Sequence, residues 1–97
     1  MHQNLDEALF KKQAEVFKAI SHKTRLAIVH LLYEGEKSVN DIVEAIGNKE
    51  RTGISKHLNI LRTHSIIDYR EEGTSRIYYL KARCLIQAVN CTLQIIN

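Results

Sequence analysis

The sequence holds no proline and only two cysteines in 97 residues. Without proline, a low-complexity stretch or an internal repeat, nothing marks a linker, and residues 1–97 read as a single domain. Two thiols, Cys84 and Cys91, are too few for a disulfide framework. No apolar run approaches the roughly 20 residues a membrane helix needs, and the opening Met-His-Gln-Asn-Leu-Asp-Glu lacks an apolar secretory segment. A cytoplasmic protein with no membrane contact is therefore expected. Paired carboxylates, a glycine-rich phosphate loop and a Cys-His arrangement are also missing, so no enzyme is expected.

The charge that is present is unevenly spread. A net +3 overall conceals +4 between Lys49 and Arg83, where eight Lys/Arg face four acids, and −1 over residues 1–48. Nothing beyond Arg83 is charged. A segment carrying the whole cationic excess is where attraction to nucleic-acid phosphates would be wanted.

Hydrophobic periodicity predicts helices over about 6–20, 22–33, 39–46, 50–63 and 82–96. Ser21 is the expected N-cap of the second, and Ser38-Val-Asn-Asp41 resembles a capping box for the third. Residues 66–71 and 76–80 read as strands joined by Glu72-Gly-Thr-Ser75. On the fourth helix Ile54, Leu58 and Leu61 face inward, leaving a small, polar and basic outer face. A polar helix beside a basic hairpin is the layout of a winged helix-turn-helix, mainly α with a small β-hairpin in the order ααααββα. On the last helix Leu85, Ile86, Val89, Leu93 and Ile96 make one apolar stripe, and Cys84, Ala88, Cys91 and Ile95 a second. A domain this small covers only one of them, so the terminal helices (about 6–20 and 82–96) are expected to form a homodimer interface. A two-fold dimer suits a palindromic operator in double-stranded DNA.

Three segments carry a resemblance to the ArsR/SmtB family of prokaryotic transcriptional repressors: Phe17-Lys-Ala-Ile-Ser-His-Lys-Thr-Arg-Leu-Ala-Ile-Val-His-Leu-Leu32, Gly53-Ile-Ser-Lys-His-Leu-Asn-Ile-Leu-Arg62 and Arg70-Glu-Glu-Gly-Thr-Ser-Arg-Ile-Tyr-Tyr79. It spans roughly residues 10–80 and implies a homodimer that represses when unliganded and leaves DNA when an inducer binds. Carried over by position, it implies base-facing roles for Arg51, Thr52, Ser55 and Lys56, and phosphate contacts from Arg70, Thr74, Ser75 and Arg76. Their chemistry agrees: Arg and Lys donate to guanine O6/N7, and hydroxyls reach base edges or phosphates. His57 lies beside the apolar stripe and is expected to be structural.

The chain departs from the family pattern in three places. The turn before the fourth helix is one residue longer, Gly53 replaces a side chain, and Ser65 replaces a glycine. An interior glycine costs about 0.5–1 kcal/mol relative to alanine, so this helix is expected to start late or be loose, which bears on Lys49, Arg51 and Thr52.

Two family metal sites lack their ligands here. A Cys-x-Cys pair at the third helix is replaced by Ser38-Val-Asn-Asp41, and the last helix carries neither Asp nor His. The five histidines show no ligand spacing, so no metal and no resident cofactor are expected. Cys84 and Cys91 are the remaining inducer or redox candidates, and seven helical residues separate them by about 10.5 Å along the axis, beyond the reach of a direct disulfide. A cross-subunit bond, a bridging polysulfide, a frayed helix gripping a soft ion such as arsenite, and plain apolar packing all stay open. So does the alternative of a winged-helix protein-interaction module that touches no nucleic acid, although the basic 51–62 face argues against it.

Overall fold

The computed structural model describes residues 6–47 and 51–96, with the backbone alone at Arg51 and Thr52. Helix α1 (Glu7–Ile20) starts at Asp6, whose carboxylate accepts the Leu9 N–H at 3.1 Å. Glu7 in its first turn and Lys18 in its last complement the helix dipole. Helix α2 (Lys23–Glu34) is capped by His22 rather than by the expected Ser21. The His22 Nδ1 accepts the Thr24 N–H at 3.0 Å, while the Ser21 N–H bonds back to Lys18 and closes α1. Ser21 is thus committed to the preceding helix, and the imidazole takes over the cap.

A two-residue strand that periodicity did not reveal, β1 (Lys37–Ser38), leads into α3 (Val39–Ile46). The capping box is real: the Ser38 hydroxyl accepts the Asp41 N–H at 3.1 Å, and the Asp41 carboxylate accepts the Ser38 N–H at 3.2 Å. Helix α4 (Arg51–Thr63) is followed by β2 (Ile67–Glu72) and β3 (Ser75–Leu80). The expected start at Glu50 lies outside the described residues. The antiparallel sheet has the order β1-β3-β2, with Tyr69 opposite Tyr78 and Glu72 opposite Ser75. Pairing therefore runs one step further at each arm than expected, and the hairpin turns on Gly73 and Thr74 alone. Gly73, at φ +62°, supplies the left-handed backbone that a two-residue hairpin turn needs.

The last predicted helix is corrected most. In place of one rod over 82–96 there are two pieces, α5 (Leu85–Cys91) and α6 (Leu93–Ile96). Bonds from Leu85 to Ala82, Ile86 to Arg83 and Gln87 to Cys84 make a tight three-residue entry. At the break the Thr92 hydroxyl donates to the Val89 carbonyl at 2.6 Å, competing with the helical ladder.

One core unites the elements, with Ile28, Leu32, Ile42, Ile54, Leu61, Ile66 and Ile67 almost fully buried. From the last two helices only Ile86 is buried. Phe17 is 53% exposed, Ile95 81% and Ile96 73%. The radius of gyration, 15.1 Å, exceeds the roughly 12–13 Å of a compact chain this long, consistent with terminal helices that lack cover. No helix among the described residues is long and apolar enough to cross a membrane.

Candidate nucleic-acid interface

Helix α4 divides cleanly into two faces. Ile54, Leu58 and Leu61 are buried, while Ser55, Lys56, Asn59 and Arg62 are exposed. Ser55, Asn59 and Arg62, spaced four and then three residues apart, share one line along the helix. Its C-terminus is a Schellman motif: the Ser65 N–H bonds to the Arg62 carbonyl and the Ile66 N–H to the Leu61 carbonyl, both at 3.0 Å. Ser65 takes φ +60°, a left-handed backbone, in the place where the resemblance led to an expected glycine. Near the other end, a Cβ on Gly53 would meet the His57 ring at 3.6 Å, an ordinary contact, so space does not demand this glycine. The helix includes Gly53 and begins before it, not after.

His57 is half-buried, on the side of α4 that meets the start of α2. Arg25, whose Nε–H donates to the Ala19 carbonyl, also donates an Nη1–H to His57 Nδ1 at 3.1 Å. Arginine has no acceptor, so the His57 Nδ1 accepts here. The His22 and His57 ring centroids stand 4.5 Å apart, tying the start of α2 to α4.

The hairpin carries the second half of the surface. Thr74, Ser75 and Arg76 are exposed at its tip. Arg76 stands across the ladder from Glu71, yet its guanidinium lies over the Tyr69 ring, 4.4 Å from the centroid. Arg62 lies over the same ring, also at 4.4 Å, and its Nε–H donates to Asp68 at 3.0 Å. Asp68 is held below its ordinary carboxylate range first by the Tyr69 backbone N–H and then by Arg62. Arg70 differs from both. Its guanidinium donates to Glu36 at 2.6 Å and to Glu72 at 3.0 Å, and these two carboxylates, Glu36 first, push its pKa up.

Ser55, Lys56, Thr74, Ser75 and Arg76 are thus accessible, whereas Arg70 is engaged by two acids. The side chains of Arg51 and Thr52 lie outside the described residues. Arg62, Asn59 and Tyr69, which reading by sequence did not single out, line a cleft with Ser55 and Arg76; the i, i+4, i+7 line through Ser55, Asn59 and Arg62 was the available signal for the two on α4. Cys84 and Cys91 are exposed free thiols at the two ends of α5. Among the described residues no group of three or more His, Cys, Asp or Glu is placed to hold a metal ion.

A family model described as a helix-turn-helix domain matches residues 20–70. The transcriptional repressor SdpR of Bacillus subtilis is 39% identical over 82 residues, covering 84% of this chain and 90% of that one. Among solved structures, the repressor BigR of Xylella fastidiosa superposes with a TM-score of 0.77 at 30% identity, over 94% of this chain and 92% of that one. The homodimeric winged helix-turn-helix domain of Mb0332 from Mycobacterium bovis, described as a possible ArsR-family regulator, superposes at 0.75 and 28% identity, over 100% and 96%.

Proposed function

The chain belongs to the ArsR/SmtB family of winged helix-turn-helix transcriptional regulators, and from that premise we propose that it is a homodimeric repressor of a palindromic operator. Helix α4 enters the major groove with Ser55 and Lys56 at base edges, joined by Arg51 and Thr52. The hairpin tip, with Thr74, Ser75 and Arg76, follows the flanking backbone. The observation that carries this reading is the exposed polar face of α4, whose Ser55, Asn59 and Arg62 share one cleft with Arg76 of the hairpin. Leu9, Phe10, Phe17, Leu93, Ile95 and Ile96, all exposed in the single chain, supply the apolar surface through which two copies associate. Residues 1–97 act as one unit, with α1, α5 and α6 as the dimerisation elements.

Binding to a 30-base-pair duplex, measured between about 50 and 200 mM salt, tests it together with sedimentation. A steep fall in affinity and two protomers per duplex are expected, because each phosphate contact adds about 0.9 to the slope. A monomer whose affinity ignores salt would instead fit a protein-interaction module.

The exposure of both thiols favours a second element. Modification of Cys84 and Cys91 releases the repressor from its operator, through a bond between subunits, a polysulfide or a soft ion such as arsenite. Cys84→Ser and Cys91→Ser should then keep full DNA affinity while losing the response to oxidant, persulfide or arsenite. Retention of that response in both variants removes the thiols from the mechanism.

A further inference from the structure

Between the outer face of α4 and the hairpin lies a polar cleft of about 220 Å³, lined in part by Ser55, Asn59, Arg62, Tyr69 and Arg76. Within it two guanidiniums share one aromatic ring, each 4.4 Å from the Tyr69 centroid. The ring holds both guanidiniums at the cleft by cation–π attraction, and a guanidinium carries the several N–H donors that grip phosphate oxygens. Two cations that line one cleft add their potentials there, so an anion seated in it is attracted by both. Asp68 does not line the cleft, but its carboxylate takes the Arg62 Nε–H and so competes for that one guanidinium. Asn59 and Ser55 continue the donor line along α4.

We propose that this cleft seats a phosphodiester of the DNA backbone, gripped by Arg62 and Arg76 beside Tyr69 and oriented by Asn59, with Asp68 competing from outside the cleft for Arg62. This rests on the DNA-binding reading above and gives Arg62 and Asn59 roles that neither the family resemblance nor the comparisons assign. A second hollow, lined by Ser38, Asn40, Thr74, Ser75 and Arg76, adjoins the first through Arg76. The two together form a trough from α4 to the hairpin tip, the shape a strand's sugar-phosphate backbone follows and a lone small anion does not require.

Phosphate contacts carry no base information, so a mixed-sequence 30-base-pair duplex is a sufficient probe. The wild type should bind it with a steep salt slope. Arg62→Gln should lower the slope by about 0.9 per protomer, while Lys23→Gln on α2, which removes the same charge from an exposed site elsewhere, should leave it unchanged. Asp68→Asn, which keeps Arg62 and removes its competitor, should tighten binding severalfold. An Arg62→Gln protein that is folded by circular dichroism and keeps the wild-type slope overturns the assignment. Should that variant not fold, Asp68→Asn decides, and unchanged affinity overturns it. A wild type that does not bind the duplex at all is a separate failure, that of the DNA-binding reading itself.

Discussion

Arg25 donates an Nη1–H to the Nδ1 of His57 across 3.1 Å, linking the first turn of α2 to the middle of α4. The same arginine holds the Ala19 carbonyl at the end of α1, so one guanidinium ties α1, α2 and α4 together. His57→Ala removes the acceptor and leaves a partly buried charge short of a partner. The expected cost is about 1–2 kcal/mol of stability, read as a lower denaturation midpoint with little change in duplex affinity at permissive temperature. The reverse pattern, unchanged stability and lost affinity, would move His57 to the DNA contacts.

Ser65 holds a left-handed backbone, φ +60°, at the heart of the Schellman motif that ends α4. That conformation costs an L-residue with a Cβ about 1–2 kcal/mol, and glycine returns part of the gain through its greater freedom when unfolded. Ser65→Gly should therefore stabilise the protein by about 0.5–1 kcal/mol, while Ser65→Ala should give no gain. A denaturant titration of the three proteins checks both halves; equal gains from glycine and alanine would mean that the backbone is not the source.

What could be read from the sequence depended on how local the cause was. Ile54, Leu58 and Leu61 announce a helix face by spacing alone, and Ser38 and Asp41 cap their helix within four residues. Strand β1 could not be seen, because two residues gain extended structure only by pairing with Tyr78 and Ile77, some forty positions away. The break after Cys91 depended on the Thr92 hydroxyl choosing the Val89 carbonyl, a competition that an otherwise apolar helical pattern hides. Arg70 read as a phosphate contact because position and charge were all that could be seen. Its link to Glu36, 34 residues earlier, exists only once the hairpin packs beside the start of α3.

That link leads to a prediction opposed to the family pattern. With both Glu36 and Glu72 on its guanidinium, Arg70 joins the hairpin to the segment before β1 and has little charge left to offer a phosphate. Arg76, over Tyr69, makes no ion pair among the described residues. Arg76→Gln should cut duplex affinity and the salt slope together, and Arg70→Gln should change either only slightly. Equal losses from the two variants would show that Arg70 leaves its carboxylates on binding, as the family resemblance implies.

Asp68 offers a test by titration. Its pKa lies below the ordinary 3.8, first because the Tyr69 backbone N–H donates to the carboxylate and second because Arg62 does. A depressed carboxylate pKa contributes stability above the unfolded value, and the contribution disappears as pH falls through the lower, folded value. Asp68 is well solvated, so the effect on overall stability is small and the useful observable is the carboxyl itself. Followed by carbon NMR, the Asp68 midpoint should fall below 3.8 in the wild type and rise in Arg62→Gln. It should still stay below 3.8 there, because the larger of the two donors, a backbone amide, survives the substitution. A midpoint that returns fully to 3.8 would make Arg62 the dominant partner and strengthen its hold on Asp68 against any incoming phosphate. A midpoint that does not move would mean the guanidinium is already free of the carboxylate in solution, with Tyr69 alone holding it over the cleft.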